Sequence, residues 1–318
     1  RDWSVTGVQT CALPISPLVG IRLDGAGALR FGINASLVAG AVAILAFAWS
    51  VAAVPRSLEA RAWYELAFWG GGHLLQFAWT LHLLVAWLVL ADASGARVPI
   101  SPRVVALLFG IQLVAVFATT IVYLAWDVTS VEHHRMQTWL MRIGGTLAIP
   151  VVAAAIVAGL VRRRRDGPMA PEAKPLAAAL VVSMLLFGAG GVIGFLIRGS
   201  DVRIPAHYHG AIVGVTIAMM GLAYWLLPRL GAAAPRARLA VWQSVLYGTG
   251  QLMHITGLLW SGGYGVQRKV AGGEQVLRTT SEIAGMGLMG AGGLVAVAGG
   301  VLFVVVVVLA VRDRKRSA

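Results

Sequence analysis

Uncharged apolar stretches of about 20 residues recur along the whole chain, and that is the length a helix needs to cross the hydrocarbon of a bilayer. Hydrocarbon offers the backbone no water to bond, so a stretch that crosses it singly must close its hydrogen bonds internally, as a helix does. Eight spans are expected, at roughly 31–54, 62–91, 102–126, 143–161, 175–197, 206–228, 239–260 and 283–311. Pro55, Pro102, Pro175 and Pro205 stand at or just outside span ends, where a missing backbone N–H costs least. The expected fold is therefore an all-α, polytopic membrane helix bundle. Composition agrees: 58% of residues are hydrophobic and 12% are charged, about half the charge of a soluble chain. A soluble globular enzyme and a disordered chain are both excluded. The single Cys11 excludes a disulfide framework and a cysteine-based metal cage.

The formal net charge is +13, and where the charges fall matters more than their number. Of the 26 Lys and Arg, 17 belong to the stretch before the first span, the loops after the second, fourth and sixth spans, and the tail; the other side holds 9. The richest clusters, Arg162–Arg165 and the tail from Arg312 to Arg316, lie on the same side. This bias places both termini on the cytoplasmic side of the membrane. The basic balance is thus a topology signal, and nucleic acid is not expected as a partner; the lipid bilayer is. Residues 1–16 (RDWSVTGVQTCALPIS) begin without Met and lack signal-peptide architecture. They resemble translated sequencing-adapter residue and are expected to be foreign, with residues 17–318 a membrane domain that lacks its true beginning. No internal repeat and no soluble domain is visible.

Seven histidines occupy this chain: His73, His82, His133, His134, His207, His209 and His254. Polar groups at membrane depth are costly and face a protein interior, so each is a functional candidate, although a lone membrane histidine is more often a packing residue. With the topology above, His73 lies about 11 residues, or roughly 16 Å, into the second span from its outer end. His133 and His134 fall in the outer loop after the third span, and His207 and His209 open the sixth from the outer side. Five histidines therefore gather toward the outer leaflet, and converging imidazoles suit copper, iron or zinc. His207 and His209 are about 200° apart around a helix, so one helix can serve two cofactors, one on each flank. His82, about 180° from His73, is expected to be a packing or hydrogen-bonding residue. Adjacent His133 and His134 can reach one ion from an irregular helix end.

These segments resemble subunit I of the heme-copper respiratory oxidases, a superfamily that includes the nitric oxide reductases. The likeness covers roughly residues 30 to 311 and looks like the last eight of that family's twelve core helices. FWGGGHLLQFAW resembles the helix with the first copper ligand, which maps to His73; VEHHRMQTWLMRIGGTLAIP resembles the segment with two more, which map to His133 and His134. The strongest block runs from FGAGGVIGF through IPAHYHGAIVGVTIAMMGLAYWLLPRLG. Its two histidines map to the ligand of the high-spin heme iron, His207, and of the low-spin heme iron, His209. QLMHITGLLWSGGYGVQRKV resembles the segment whose basic pair neutralises heme propionates, making Arg268 and Lys269 the candidates.

The resemblance implies a catalytic subunit that reduces dioxygen to water at a high-spin heme and copper, with two hemes in the full-length protein. It implies cytochrome c or quinol as donor and other respiratory subunits, including one that delivers electrons. Departures open the nitric oxide reductase alternative, with non-heme iron in place of copper. The tyrosine that oxygen-reducing members carry one turn after the first copper ligand is Phe77 here, and Tyr123 lies ten residues before His133, too far along one helix to replace it. The expected proton-channel lysine and threonine are replaced by Val151 and Ala154. Gln76 and Glu132 are the polar candidates for catalytic roles beside the metal. The second ligand of the low-spin heme belongs to helices that precede this stretch in the family. A metal-binding or proton-coupled transporter is the reading from another class; it predicts paired broken helices in repeated halves and midplane carboxylates, and neither is present in the sequence.

Overall fold

The computed structural model describes residues 24–270 and 274–317, so residues 1–16 lie outside the described part. Nine α-helices are described: α1 (Gly25–Ala53), α2 (Ala60–Ala93), α3 (Pro102–Ala125), α4 (Val131–Leu140), α5 (Ala148–Arg165), α6 (Lys174–Phe195), α7 (Arg203–Leu226), α8 (Ala237–Gly263) and α9 (Thr280–Ser317). A π-helical turn, Met141–Gly145, joins α4 to α5, and the three make one span, Val131–Arg165. Among the described residues, seven helical segments are long and apolar enough to cross a membrane. The eighth expected span is α8, which has the length at 27 residues but carries Gln243, Ser244, Gln251, His254 and Ser261 among its apolar residues. Large apolar side chains such as Leu37, Ile44, Leu124 and Leu294 lie open on the outside, as the lipid-facing side of a multi-pass membrane protein requires.

The helix starts are written in the local sequence. Asp24 accepts the Gly27 N–H at 2.6 Å to cap α1, and Ser101 accepts that of Val104 at 3.3 Å, with Pro102 in the first turn of α3. The fourth span starts earlier than expected. Ser130 caps α4 by accepting the His133 N–H at 3.1 Å, and Glu132 in the first turn complements the helix dipole. His133 and His134 are therefore helical and not in a loop. The stretch Val131–Leu140 is too polar for its helix to be read from hydropathy.

The chain divides into two compact units: the first takes the residues up to Leu88 with Arg97–Arg162, the second Val89–Ala96 and the chain from Arg163 on. In the first, α3 turns back at Trp126–Ser130 and pairs antiparallel with α4 and the π turn, around a core that includes Phe77, Trp87 and Phe109. In the second, α6 packs on α7 and α8 on α9. Leu186, Ile193, Val202, Ala206, Val213, Ile217, Ile255 and Leu258 form its core.

Candidate functional site

The second unit holds α7, and α7 presents its two histidines to different neighbours. His207 places Nδ1 at 2.7 Å from the Gly190 carbonyl oxygen of α6, while the His209 ring lies 5.0 Å from that of His254 on α8. The flank argument from helix angles is thereby met in the fold. Glycines make the α6 side: a Cβ on Gly190 would stand 2.5 Å from the Ala211 nitrogen, and one on Gly194 would stand 2.8 Å from His207 Nδ1. Only hydrogen at these positions lets the helices approach so closely and leaves room for the imidazole.

A common device orients the rings. His209 Nδ1 lies 2.8 Å from the Pro205 carbonyl and His254 Nδ1 3.0 Å from that of Met289. In the first unit, His73 Nδ1 lies 2.7 Å from the Trp69 carbonyl and His134 Nδ1 2.9 Å from that of Ser130. A carbonyl can only accept, so each Nδ1 donates, which fixes the tautomer and turns Nε2 into the acceptor. That is the arrangement in which histidines ligate metals and hemes. His254 belongs to this set, and sequence reasoning missed it, having counted the residue without placing it.

The first unit gathers His73, His133 and His134 around Trp69 and Tyr123. The Trp69 ring lies 4.8 Å from that of His73 and 4.9 Å from that of His134, and its indole N–H donates to the His134 carbonyl at 3.4 Å. The rings of His133 and His134 are 6.2 Å apart. Among the described residues, no three His, Cys, Asp or Glu side chains converge closely enough to hold a metal ion, and the Trp69 indole lies against both His73 and His134. A pocket of about 260 Å³ opens here, lined by Trp69, His134, Arg135, Thr138, Trp139 and Arg142. His133 is fully buried and neither ring nitrogen makes a well-formed hydrogen bond, although the Trp126 and Val122 carbonyls lie beside the ring, an expensive state for an imidazole unless something else binds it. The donor set fits copper or iron in kind: three imidazoles and, among the described residues, no thiolate.

Tyr123 is nearer the histidines than its sequence position implies. Ten residues of continuous helix would separate it from His133 by about 15 Å, but the turn after α3 brings the two rings to 4.6 Å, edge to face. Its hydroxyl is hydrogen-bonded to Ser50 at 3.0 Å, and a Cβ on Gly70 would stand 2.0 Å from that oxygen. Phe77 is buried and rests on Gly144 and Gly145 of the π turn. Gln76 and Glu132 are exposed. His82 hydrogen-bonds Ser36 at 3.1 Å, the packing role expected of it. In the connecting turn, the hydroxyl and then the N–H of Thr129 hold the Asp127 carboxyl below the usual carboxylate range.

Arg268 and Lys269 sit on the loop between α8 and α9, and that loop is stapled to the one opening α7. Val202 donates to the Val266 carbonyl at 3.0 Å, Asp201 bridges to Gln267, and Arg268 Nε donates to Ser200 at 3.1 Å. Lys269 has φ +60°, a left-handed conformation costing a side-chain-bearing residue about 1 kcal/mol. Burial would raise the Asp201 carboxyl, but the Arg203 guanidinium at 2.5 Å, its backbone N–H and its charge together hold it below its ordinary value. The basic pair is thus carried at the end of α7 that holds His207 and His209.

This helical arrangement has a solved counterpart. A heme-copper terminal oxidase dimer, solved by cryo-EM, superposes with a TM-score of 0.66 over 89% of this chain and 56% of that one, at 15% identity. The fold is that of a heme-copper oxidase. Among curated proteins, an uncharacterised protein of Rickettsia prowazekii is 29% identical over 307 residues, covering 83% of this chain and 59% of its own length. An uncharacterised protein of Aquifex aeolicus is 27% identical over 56% of this chain and 42% of its own. Cytochrome c oxidase subunit 1 of Thermus thermophilus is 27% identical over 64% of this chain and 40% of its own. No family model matches. The chain spans at most about three fifths of the length of these relatives.

Proposed function

We propose that the chain is part of the catalytic subunit of a heme-copper terminal respiratory oxidase of a bacterial inner membrane, fed by cytochrome c or quinol and reducing dioxygen to water. One observation carries the proposal: α7 offers two imidazoles to different flanks, each with Nδ1 donating to a backbone carbonyl and Nε2 left for a ligand. His207 is assigned to the high-spin heme iron and His209 to the low-spin heme iron. His73, His133 and His134 are assigned to copper, and Arg268 and Lys269 to the heme propionates. Bound there, heme and copper would relay the donor's electrons and provide the metals that bind oxygen. The chain's own work is to fix imidazole tautomers and to offer a phenolic hydrogen near the metal. Tyr123 supports this last role through its ring contact with His133.

Phe77 favours a second reading, nitric oxide reduction with non-heme iron in the histidine trio, because two-electron chemistry needs no tyrosine. In that case Gln76 and Glu132 would be the polar groups beside the metal, and both are exposed. Buried Tyr123 favours oxygen. The test uses the full-length protein purified from membranes, analysed for heme and for copper and iron, then assayed for oxygen uptake and for anaerobic nitric oxide consumption. Two hemes, copper and brisk oxygen uptake are expected. Two hemes with extra iron and nitric oxide turnover alone would select the second reading. Absence of heme would end both.

A further inference from the structure

The face on which α3 meets α4 and the π turn carries a row of polar side chains deep in an apolar unit. Its antiparallel register is fixed at two points. Tyr123 meets His133 ring to ring, and Gln112 donates from Nε2 to the Gly145 carbonyl at 3.1 Å. One turn inward from the first pair, Thr119 on α3 falls level with Gln137 on α4. Gln112, His133 and Gln137 are each 0% exposed and Thr119 is 1% exposed. Thr119 donates to the Val116 carbonyl of its own helix. The remaining groups make no well-formed hydrogen bond within the protein: Gln112 Oε1, both amide atoms of Gln137 and both ring nitrogens of His133. Five such atoms along one seam are out of proportion, since nearly all buried polar atoms in native proteins are hydrogen-bonded, many through ordered water.

The seam is closed toward the inner side. Phe109 and Val105 follow Gln112 down α3, and Ala148 and Val152 follow Gly145 up α5; all four are fully buried. The π turn itself contributes, because a wider turn frees carbonyls from the helical ladder, and such turns recur at functional sites. His133 differs from the other candidate ligands in one respect: His73, His134, His207 and His209 each anchor Nδ1 on a carbonyl in a well-formed hydrogen bond, whereas His133 has the Trp126 and Val122 carbonyls beside its ring and no well-formed bond to either. Gln137, one helical turn farther on, is the buried polar group at the right place to replace that anchor.

We infer that the α3–α4 seam binds a short file of water molecules between Gln112 and His133, and that through this water Gln137 positions the His133 ring for its metal. Gln137 is a positioning residue: its amide carbonyl accepts from a water that in turn accepts the His133 N–H, leaving the other ring nitrogen for the ion. Outer partners of this kind are commonly worth 10–100-fold in metal affinity. The metal half of the inference rests on the oxidase reading; the water half does not.

Two measurements on the full-length protein test it. A cryo-EM map fine enough to resolve water should place water density within hydrogen-bond reach of Gln137 and of a His133 ring nitrogen, and a dry seam overturns the proposal. Competition for cuprous ion between metal-depleted protein and a soluble chelator then reads the affinity. Gln137→Leu should weaken binding roughly 10–100-fold with both hemes retained, and Gln137→Glu, which keeps the acceptor, should restore most of it. A Leu variant with unchanged copper affinity and a raised thermal midpoint overturns the proposal, because that is how a dry, unpartnered amide responds to removal. Should the Leu variant fail to fold, the wild-type map alone decides the water. Water in a wild-type protein that purifies with heme and no second metal supports the seam while counting against the oxidase reading.

Discussion

Tyr123 has its hydroxyl in the buried interior, hydrogen-bonded to Ser50, and its ring edge on His133. Tyr123→Phe keeps the ring and that contact and deletes the hydroxyl alone. Loss of one neutral hydrogen bond costs about 1 kcal/mol, so the thermal midpoint should move by only a few degrees. If the phenol delivers hydrogen to the metal centre, oxygen turnover should fall on the order of 100-fold with heme and copper contents unchanged. Ser50→Ala, which removes the orienting partner but keeps the phenol, should cost much less. Oxygen uptake by the Phe variant at the wild-type rate would remove Tyr123 from the chemistry. The histidines were legible as candidates because the sequence displays their type and spacing. Tyr123 was not, because its distance to His133 depends on a turn of five residues and not on ten residues of helix.

At the scale of elements, α7 divides its two imidazoles between neighbours, and its register with α6 rests on glycine. Gly194 faces the His207 ring so closely that any side chain meets Nδ1 at 2.8 Å, within the space the Gly190 bond requires. Gly194→Ala should therefore turn the His207 ring or push α6 away, at about 1–3 kcal/mol for overpacking. The spectral signature expected is loss of carbon monoxide binding by the high-spin heme, with the low-spin absorption band kept, because His209 is held from Pro205 and neighbours α8. Gly191→Ala is the control, since a Cβ there meets nothing within 4 Å. Equal loss of both hemes in the Gly194 variant would mean that α7 responds as a rigid whole. The two-flank geometry could be read from helical angles alone. The start of α4 could not be read from hydropathy, since Val131–Leu140 is polar, although Ser130 and Glu132 mark it as a capped helix start.

Over the whole molecule, the histidines assigned to the second metal and those assigned to the hemes fall in different compact units, and that division makes their losses separable. No feature of the hydropathy pattern announces the division, because Leu88 to Arg97 reads as the continuous end of one span and its loop. His133 is the sharpest probe of the first unit. Its imidazole is fully buried and makes no well-formed hydrogen bond, with only the Trp126 and Val122 carbonyls beside it, so His133→Ala deletes a ligand without breaking a strong hydrogen bond. The cavity left behind should still lower the thermal midpoint, and His82→Ala, which breaks only the Ser36 bond, serves as a control for removing an imidazole from the same unit. In the full-length protein, His133→Ala should purify with both hemes at wild-type stoichiometry and without the second metal, whereas His82→Ala should keep all three. Metal retained by the His133 variant would break the ligand assignment. Hemes lost together with the metal would mean that the two units do not load independently.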